Sequence, residues 1–144
     1  MKGYHGDIEG LTLGNEKFRQ VLYTGKHSQL VLMCLQASEE IGEEVHAGND
    51  QFFRFESGTG KVLIDGNEYS VGSGSVVIIP AGAKHNIINT SSHDTLKMYT
   101  IYSPAHHKEG TIHSTKAEAK SDREEFDGVT TEGGQSLERT ALVL

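Results

Sequence analysis

GSVVIIPAGAKHNIIN, residues 74–89, places a short turn between two β-type runs. Its fixed points read Gly74-x5-Pro80-x-Gly82-x2-His85-x3-Asn89. Proline presets φ and glycine tolerates positive φ, so Pro80-Ala81-Gly82 suits the turn. The next run begins at His85, and the alternate residues His85, Ile87 and Asn89 share one strand face. If that face lines a barrel, His85 points into it. VVII, at 76–79, is a continuous apolar run, the pattern expected of a strand buried on both faces.

Working outward, short β-rich runs recur between Gly, Asn, Asp and Ser. They are FRQVLYT at 18–24, SQLVLMCLQ at 28–36, EEVHA at 43–47, QFFRFES at 51–57, GKVLIDG at 60–66, NEYSVG at 67–72, SVVIIP at 75–80, HNIINT at 85–90 and TLKMYTIY at 95–102. Asp65-Gly66-Asn67 is a hairpin turn. With 17 glycines and only 2 prolines, the chain suits short strands and tight turns in a sandwich or barrel. Residues 1–17 are polar and glycine-rich and read as an N-terminal arm, available to pair as an edge strand. Residues 103–144 form a polar extension in which TKAEAKSDREEF, 115–126, predicts one helix capped by Ser114 or Thr115. The rest of that extension reads as disordered or as wrapping the barrel or a partner subunit.

The 74–89 spacing resembles the second motif of the cupin family at every fixed position. An outline of the first cupin motif precedes it as Glu44-x-His46-x4-Gln51-x6-Gly58, with departures at three positions: Ser38 at the leading glycine, Glu44 at the first histidine and Gln51 at the glutamate. The resemblance spans about residues 28–102 and is to small single-domain cupins of type 2, RmlC-like in fold, including those labelled mannose-6-phosphate isomerase-like. It implies an all-β fold, a double-stranded β-helix or jelly-roll barrel over 18–102, between the arm 1–17 and the extension 103–144. It also implies a metal site. The usual cupin set is three histidines and one glutamate; here Glu44, His46, Gln51 and His85 keep the same single negative charge. Glu44 and His46, at i and i+2, share a strand face. With His85 they make two imidazoles and one carboxylate, the composition of a non-haem iron facial triad. Gln51 offers only a neutral carbonyl oxygen. The competing reading has Glu43-Glu44 as solvated charge and Gln51 bonded to backbone.

Other candidates surround this set. Phe53 and Phe55 share a face with Gln51, and Lys97, Tyr99 and Ile101 alternate with Leu96, Met98, Thr100 and Tyr102. Whichever late-strand set faces inward supplies polar groups beside the metal, and Glu44, Lys97 and Tyr99 are the catalytic candidates. Taken singly, Tyr99 and Tyr102 read as packing residues with satisfied hydroxyls. His5, His27, His93 and His113 read as surface residues, and His106-His107 reaches the barrel mouth only if the tail folds back over it.

Charge narrows the partners. Lys and Arg number 13 against 20 Asp and Glu, a net charge of −7, which speaks against nucleic acid and against an anionic membrane surface. No run approaches the roughly 18 apolar residues of a membrane span. The N-terminus lacks the apolar core of a signal peptide, and the single Cys34, inside LVLMCLQ, reads as a buried small hydrophobe; a cytoplasmic protein is the expectation. The function expected is that of a metal-dependent enzyme on a small polar organic molecule, with dioxygenase-type or isomerase-type chemistry. One divalent ion is expected, iron or manganese ahead of zinc or nickel. The alternative is a non-catalytic module that binds or senses a small ligand. A homodimer is expected, with the arm or strand 18–24 as the element exchanged.

Overall fold

A computed structural model describes residues 1–133. Ten strands run β1 (Arg19–Thr24), β2 (Gln29–Leu35), β3 (Glu44–Val45), β4 (Asp50–Ser57), β5 (Thr59–Ile64), β6 (Asn67–Gly72), β7 (Val76–Ile79), β8 (Lys84–Asn89), β9 (Leu96–Ser103) and β10 (Ile112–His113). Helix α1 (Ile8–Gly14) precedes them and α2 (Lys116–Ser121) follows. One sheet has the order β10-β1-β2-β9-β4-β7 and the other β3-β8-β5-β6, with every pairing antiparallel. The two inner faces close over one core, the jelly-roll arrangement expected.

Alternation decides what each strand contributes to that core. On β4, Gln51, Phe53 and Phe55 are buried while Phe52 and Arg54 are only partly covered. On β9, Met98, Thr100 and Tyr102 face inward against them, in the register Gln51↔Tyr102, Phe53↔Thr100 and Phe55↔Met98. Val31, Met33, Leu35, Val62, Ile87 and Leu96 complete the apolar end of the barrel. The polar end holds Gln51, Thr100, Tyr102 and the residues of the candidate site.

The structure departs from the sequence reading in four places. The N-terminal arm is no edge strand: Asp7 caps α1 by accepting from Gly10 N–H at 3.2 Å, and the helix lies across the outer face of β2, β4 and β9. That cover explains why Cys34, on an outer face, is buried and its thiol pushed up by burial. The VVII run is not buried on both faces. It is β7, at an edge of the larger sheet, with Val76 48% and Ile78 64% exposed, so its outward side chains are uncovered. Strand β10, unforeseen in the polar extension, pairs with Arg19 and Gln20 of β1 and leaves that strand no free edge there. The helix expected at 115–126 is confined to α2, capped by Thr115, whose hydroxyl accepts from Glu118 N–H. The rest of the extension, expected to be disordered or to wrap, packs back on the barrel up to residue 133, with Thr131 N–H donating to the Thr24 carbonyl and the Tyr23 hydroxyl donating to Glu132; from 134 onward that expectation lies outside the described residues.

Two of the three motif glycines, Gly58 and Gly74, differ in what surrounds them. Gly58 and Gly74 have φ of +94° and +88°, a region unfavourable for other residues. A Cβ on Gly58 would also collide with the Thr95 carbonyl oxygen, whereas one on Gly74 meets nothing within 4 Å. Gly74→Ala is therefore expected to cost roughly 1–2 kcal/mol of backbone strain. Gly58→Ala should cost about 1–3 kcal/mol more through overpacking. Urea unfolding of both variants checks the difference, and equal midpoints would contradict it.

Candidate metal centre

Antiparallel pairing of β3 with β8 sets Glu44 directly opposite His85. His46 follows β3 immediately and is held by a bond that joins the two motifs: the Gly82 N–H donates to the His46 carbonyl at 2.9 Å. The Pro80-Ala81-Gly82 turn is itself anchored, since Ala81 N–H donates to Asp50 Oδ1 at 2.8 Å. Through this framework one ligand atom each of Glu44, His46 and His85 lies within 4.8 Å of the others. His46 and His85 are buried and Glu44 is partly covered.

The donor chemistry fits a divalent cation. His85 Nδ1–H donates to the Ala83 carbonyl at 3.0 Å, which fixes the tautomer that leaves Nε2 as a lone-pair donor. His46 Nε2 sits 2.8 Å from Glu44 Oε2 and is buried, yet no aligned hydrogen bond satisfies it. Gln51 is buried and donates from Nε2 to Thr100 Oγ1 at 3.0 Å, while its Oε1 has no partner. Buried polar atoms without partners are costly and uncommon, so two of them in one end of the barrel mark a place for a ligand. Burial pushes the Glu44 carboxyl up. Contact with His46, and then the charges of His46, Arg19 and His85, outweigh that, so the carboxylate is held below its ordinary range.

The chain matches the family model for the cupin domain over residues 31–102. It belongs to the cupin family. Among curated relatives, this cupin is 43% identical over 119 residues to the uncharacterized protein YrkC of Bacillus subtilis, covering 78% of this chain and 63% of YrkC. It is 47% identical over 112 residues to the uncharacterized protein L612 of Acanthamoeba polyphaga mimivirus, covering 76% of this chain and 70% of that protein. The chain thus spans less than two thirds of the length of YrkC. Among solved structures, BH2720 from Bacillus halodurans superposes with a TM-score of 0.82 at 39% identity, covering 84% of this chain and 96% of that one.

The tail of the cupin does fold back over the barrel mouth. Gln29, fully buried on β2, clamps it: its Oε1 accepts from the N–H groups of His106 (3.1 Å) and His107 (2.9 Å), and its Nε2 donates to the His107 carbonyl at 2.7 Å. The His106 ring then lies 4.2 Å from that of His46 and stacks on Tyr102 at 5.3 Å. His107 bridges Glu124 Oε1 (2.6 Å from Nδ1) and the Tyr102 hydroxyl (3.1 Å from Nε2). The consistent assignment has Nδ1–H donating to the carboxylate and Nε2 accepting from Tyr102. Burial lowers His107; burial pushes Glu124 up, but the bond and charge of His107, the Lys108 N–H and the Arg19 charge together outweigh it and hold Glu124 below its ordinary range. Burial pushes the Tyr102 phenol up. Burial, and then the neighbouring His107 and His46, lower His106 to about 4.

Two catalytic candidates from the sequence stand elsewhere. Lys97 and Tyr99 lie on the outer face of β9: Lys97 Nζ donates to the Leu13 carbonyl (2.6 Å) and pairs with Glu16 (3.0 Å), and Tyr99 packs on Phe52. The inward set is the other parity, and from it Tyr102 enters the site. His113 is likewise buried, against the expectation of a surface residue, because β10 brings it under α2. Arg19 and Glu124 gave no signal in the sequence, since neither belongs to a motif and each reaches the site only by tertiary packing.

Histidines with lowered pKa values make stability pH-dependent with a definite sign. Unfolded, they take a proton near 6.5; folded, His106 resists until about 4. The unfolded chain therefore binds more protons between these values, and stability falls as pH drops through that window. In chelator-treated protein the urea midpoint is expected to fall from pH 7.5 to pH 5, and His106→Gln should make that fall shallower. An unchanged slope in the variant would contradict the assignment.

Proposed function

We propose that this cupin is a metal-dependent enzyme acting on a small polar organic molecule in the barrel. In this reading Glu44, His46 and His85 hold one divalent ion and the Gln51 carbonyl oxygen faces it. The observation that supports it most is the convergence of those three side chains with unsatisfied buried atoms on His46 and Gln51. Nitrogen and oxygen donors without thiolate favour iron or manganese ahead of zinc or nickel. When bound, the metal supplies Lewis acidity and a coordination position for a substrate oxygen, which suits dioxygenase-type or isomerase-type chemistry.

The chain's own groups supply the rest. Glu44 contributes the only ligand charge. Tyr102, aligned by His107 and Glu124, presents a phenol beside His46 whose proton is held toward His107 Nε2. His106 stays uncharged and walls the mouth beside His46. A non-catalytic ligand-binding or sensing cupin is the second reading, favoured by Gln51, a neutral residue where the family motif has a carboxylate.

Elemental analysis of untagged protein is expected to find about one divalent ion per chain, and His85→Ala to lose it. Glu44→Gln should weaken metal binding far more than Gln51→Ala, and Gln51→Glu should strengthen it. Equal metal affinity in wild type and Glu44→Gln would dismiss Glu44 as a ligand. Turnover that fails across candidate substrates, with metal bound, would favour the second reading.

We also propose a homodimer, supported by the uncovered Val76 and Ile78 on the edge strand β7. Light scattering at micromolar concentration is expected to give twice the 15.7 kDa of one chain. A monomer mass would refute it.

A further inference from the structure

Arg19 opens β1 on its inward face, the same side as Val21, and is only 8% exposed. Its Nη1 lies 3.2 Å from His113 Nδ1, and its guanidinium carbon lies 5.2 Å from the centre of the Phe18 ring. Its Nε has no partner, and among the described residues no carboxylate comes within ion-pair distance of it. His113 Nε2 is 2.9 Å from Asp122 Oδ2. With Nε2–H donating to Asp122, Nδ1 is left to accept from Arg19, so the pair aims the guanidinium without neutralising it. A buried guanidinium with no carboxylate at ion-pair distance is an expensive arrangement, and the residue type is the one best shaped to bind a planar or tetrahedral anion through paired N–H groups.

The space it faces is a cleft of about 110 Å³ between β1, β3 and α2. Lys116 and Lys120 stand at its rim, four residues apart on α2, and neither is in an ion pair among the described residues. Phe18 and Ile41 give it apolar wall. Glu44 also lines it, so the cleft abuts the candidate metal group. In a chain of net charge −7, three cations converging on one small cleft with a single carboxylate run against the overall balance.

We propose that this cleft is an anion subsite: Arg19 binds the carboxylate or phosphate group of a small molecule, assisted by Lys116 and Lys120, and presents the adjoining atoms toward the metal group. The proposal deepens the enzymatic reading by naming the substrate class as anionic, and it rests on that reading for the metal but not for the anion. The recognition is through charge-assisted N–H donors of the guanidinium, which lines the cleft.

The test is calorimetric titration of the full chain with malonate and with inorganic phosphate, using malonamide as the neutral control. It is run on metal-loaded and on chelator-treated protein, with metal content measured in parallel. Saturable binding of at least one anion and none of malonamide is expected in both forms. Arg19→Gln should weaken it at least tenfold, the loss typical of a hydrogen bond to a charged group, with metal content unchanged. Preference for malonate or phosphate identifies the group recognised, and either supports the subsite. Because Arg19 is buried, the exposed-rim variant Lys116→Glu/Lys120→Glu is the second arm; its fold is checked by circular dichroism, and it should weaken the same binding several-fold and lessen its salt dependence. No saturable anion binding, or equal affinity in wild type and both variants, would overturn the proposal. Anion binding lost in Arg19→Gln but found in a chain that takes up no metal would remove the metal reading and leave the subsite standing.

Discussion

The register of β3 on β8 is the constraint on which the site depends. Glu44 and Val45 pair with His85 and Lys84, and side chains alternate strictly along a strand. A slip of one residue would turn Glu44 outward and part it from His85. So short a strand cannot fix its register by itself, and three loop bonds do so. Gly82 N–H reaches back to the His46 carbonyl after β3, and before it Ile41 N–H donates to the Ile87 carbonyl and Gly42 N–H to Asn86 Oδ1. The turn and strand of the second motif therefore aim Glu44 and His46 of the first.

Polar groups inside the barrel fall into two kinds. Asn89 is almost wholly buried and satisfied: its amide donates to the carbonyls of Leu35, Gln36 and Asp94, and its oxygen accepts from Ser91 N–H. Gln29 is equally complete in clamping the tail. These residues are structural braces. By contrast, the side chains with buried atoms left without partners among the described residues are Arg19, His46 and Gln51, and all three lie at the end of the barrel where Glu44 and Tyr102 stand. Native interiors seldom leave such groups unpaired. Their collection at one end separates the part of the barrel built for stability from the part built to receive something.

The tail converts an open barrel into a walled site. The polar extension brings His106 against His46, sets His107 and Glu124 behind Tyr102, and carries α2 with its lysines to the cleft beside Glu44. None of these groups is near the metal group in sequence. The extension thus contributes charge, a wall and a proton-holding chain to a site whose core comes from the two motifs.

By itself the sequence determined nine of the strands and a sandwich or barrel, while the resemblance to the cupin motifs implied the jelly roll and the inward placement of His46, Gln51 and His85. The strands are local: short β-rich runs bounded by turn residues mark them whatever the rest of the chain does. Tertiary structure decided the parity of β9, which put Thr100 and Tyr102 inside and Lys97 and Tyr99 outside, because both faces of that strand carry apolar residues and alternation alone is ambiguous. It decided that residues 8–14 form a helix over the outer face, that VVII is a half-exposed edge, and that a two-residue β10 buries His113. Above all it placed Arg19, His106, His107 and Glu124 at the site, since contacts between residues far apart in the chain leave no periodic trace in the sequence.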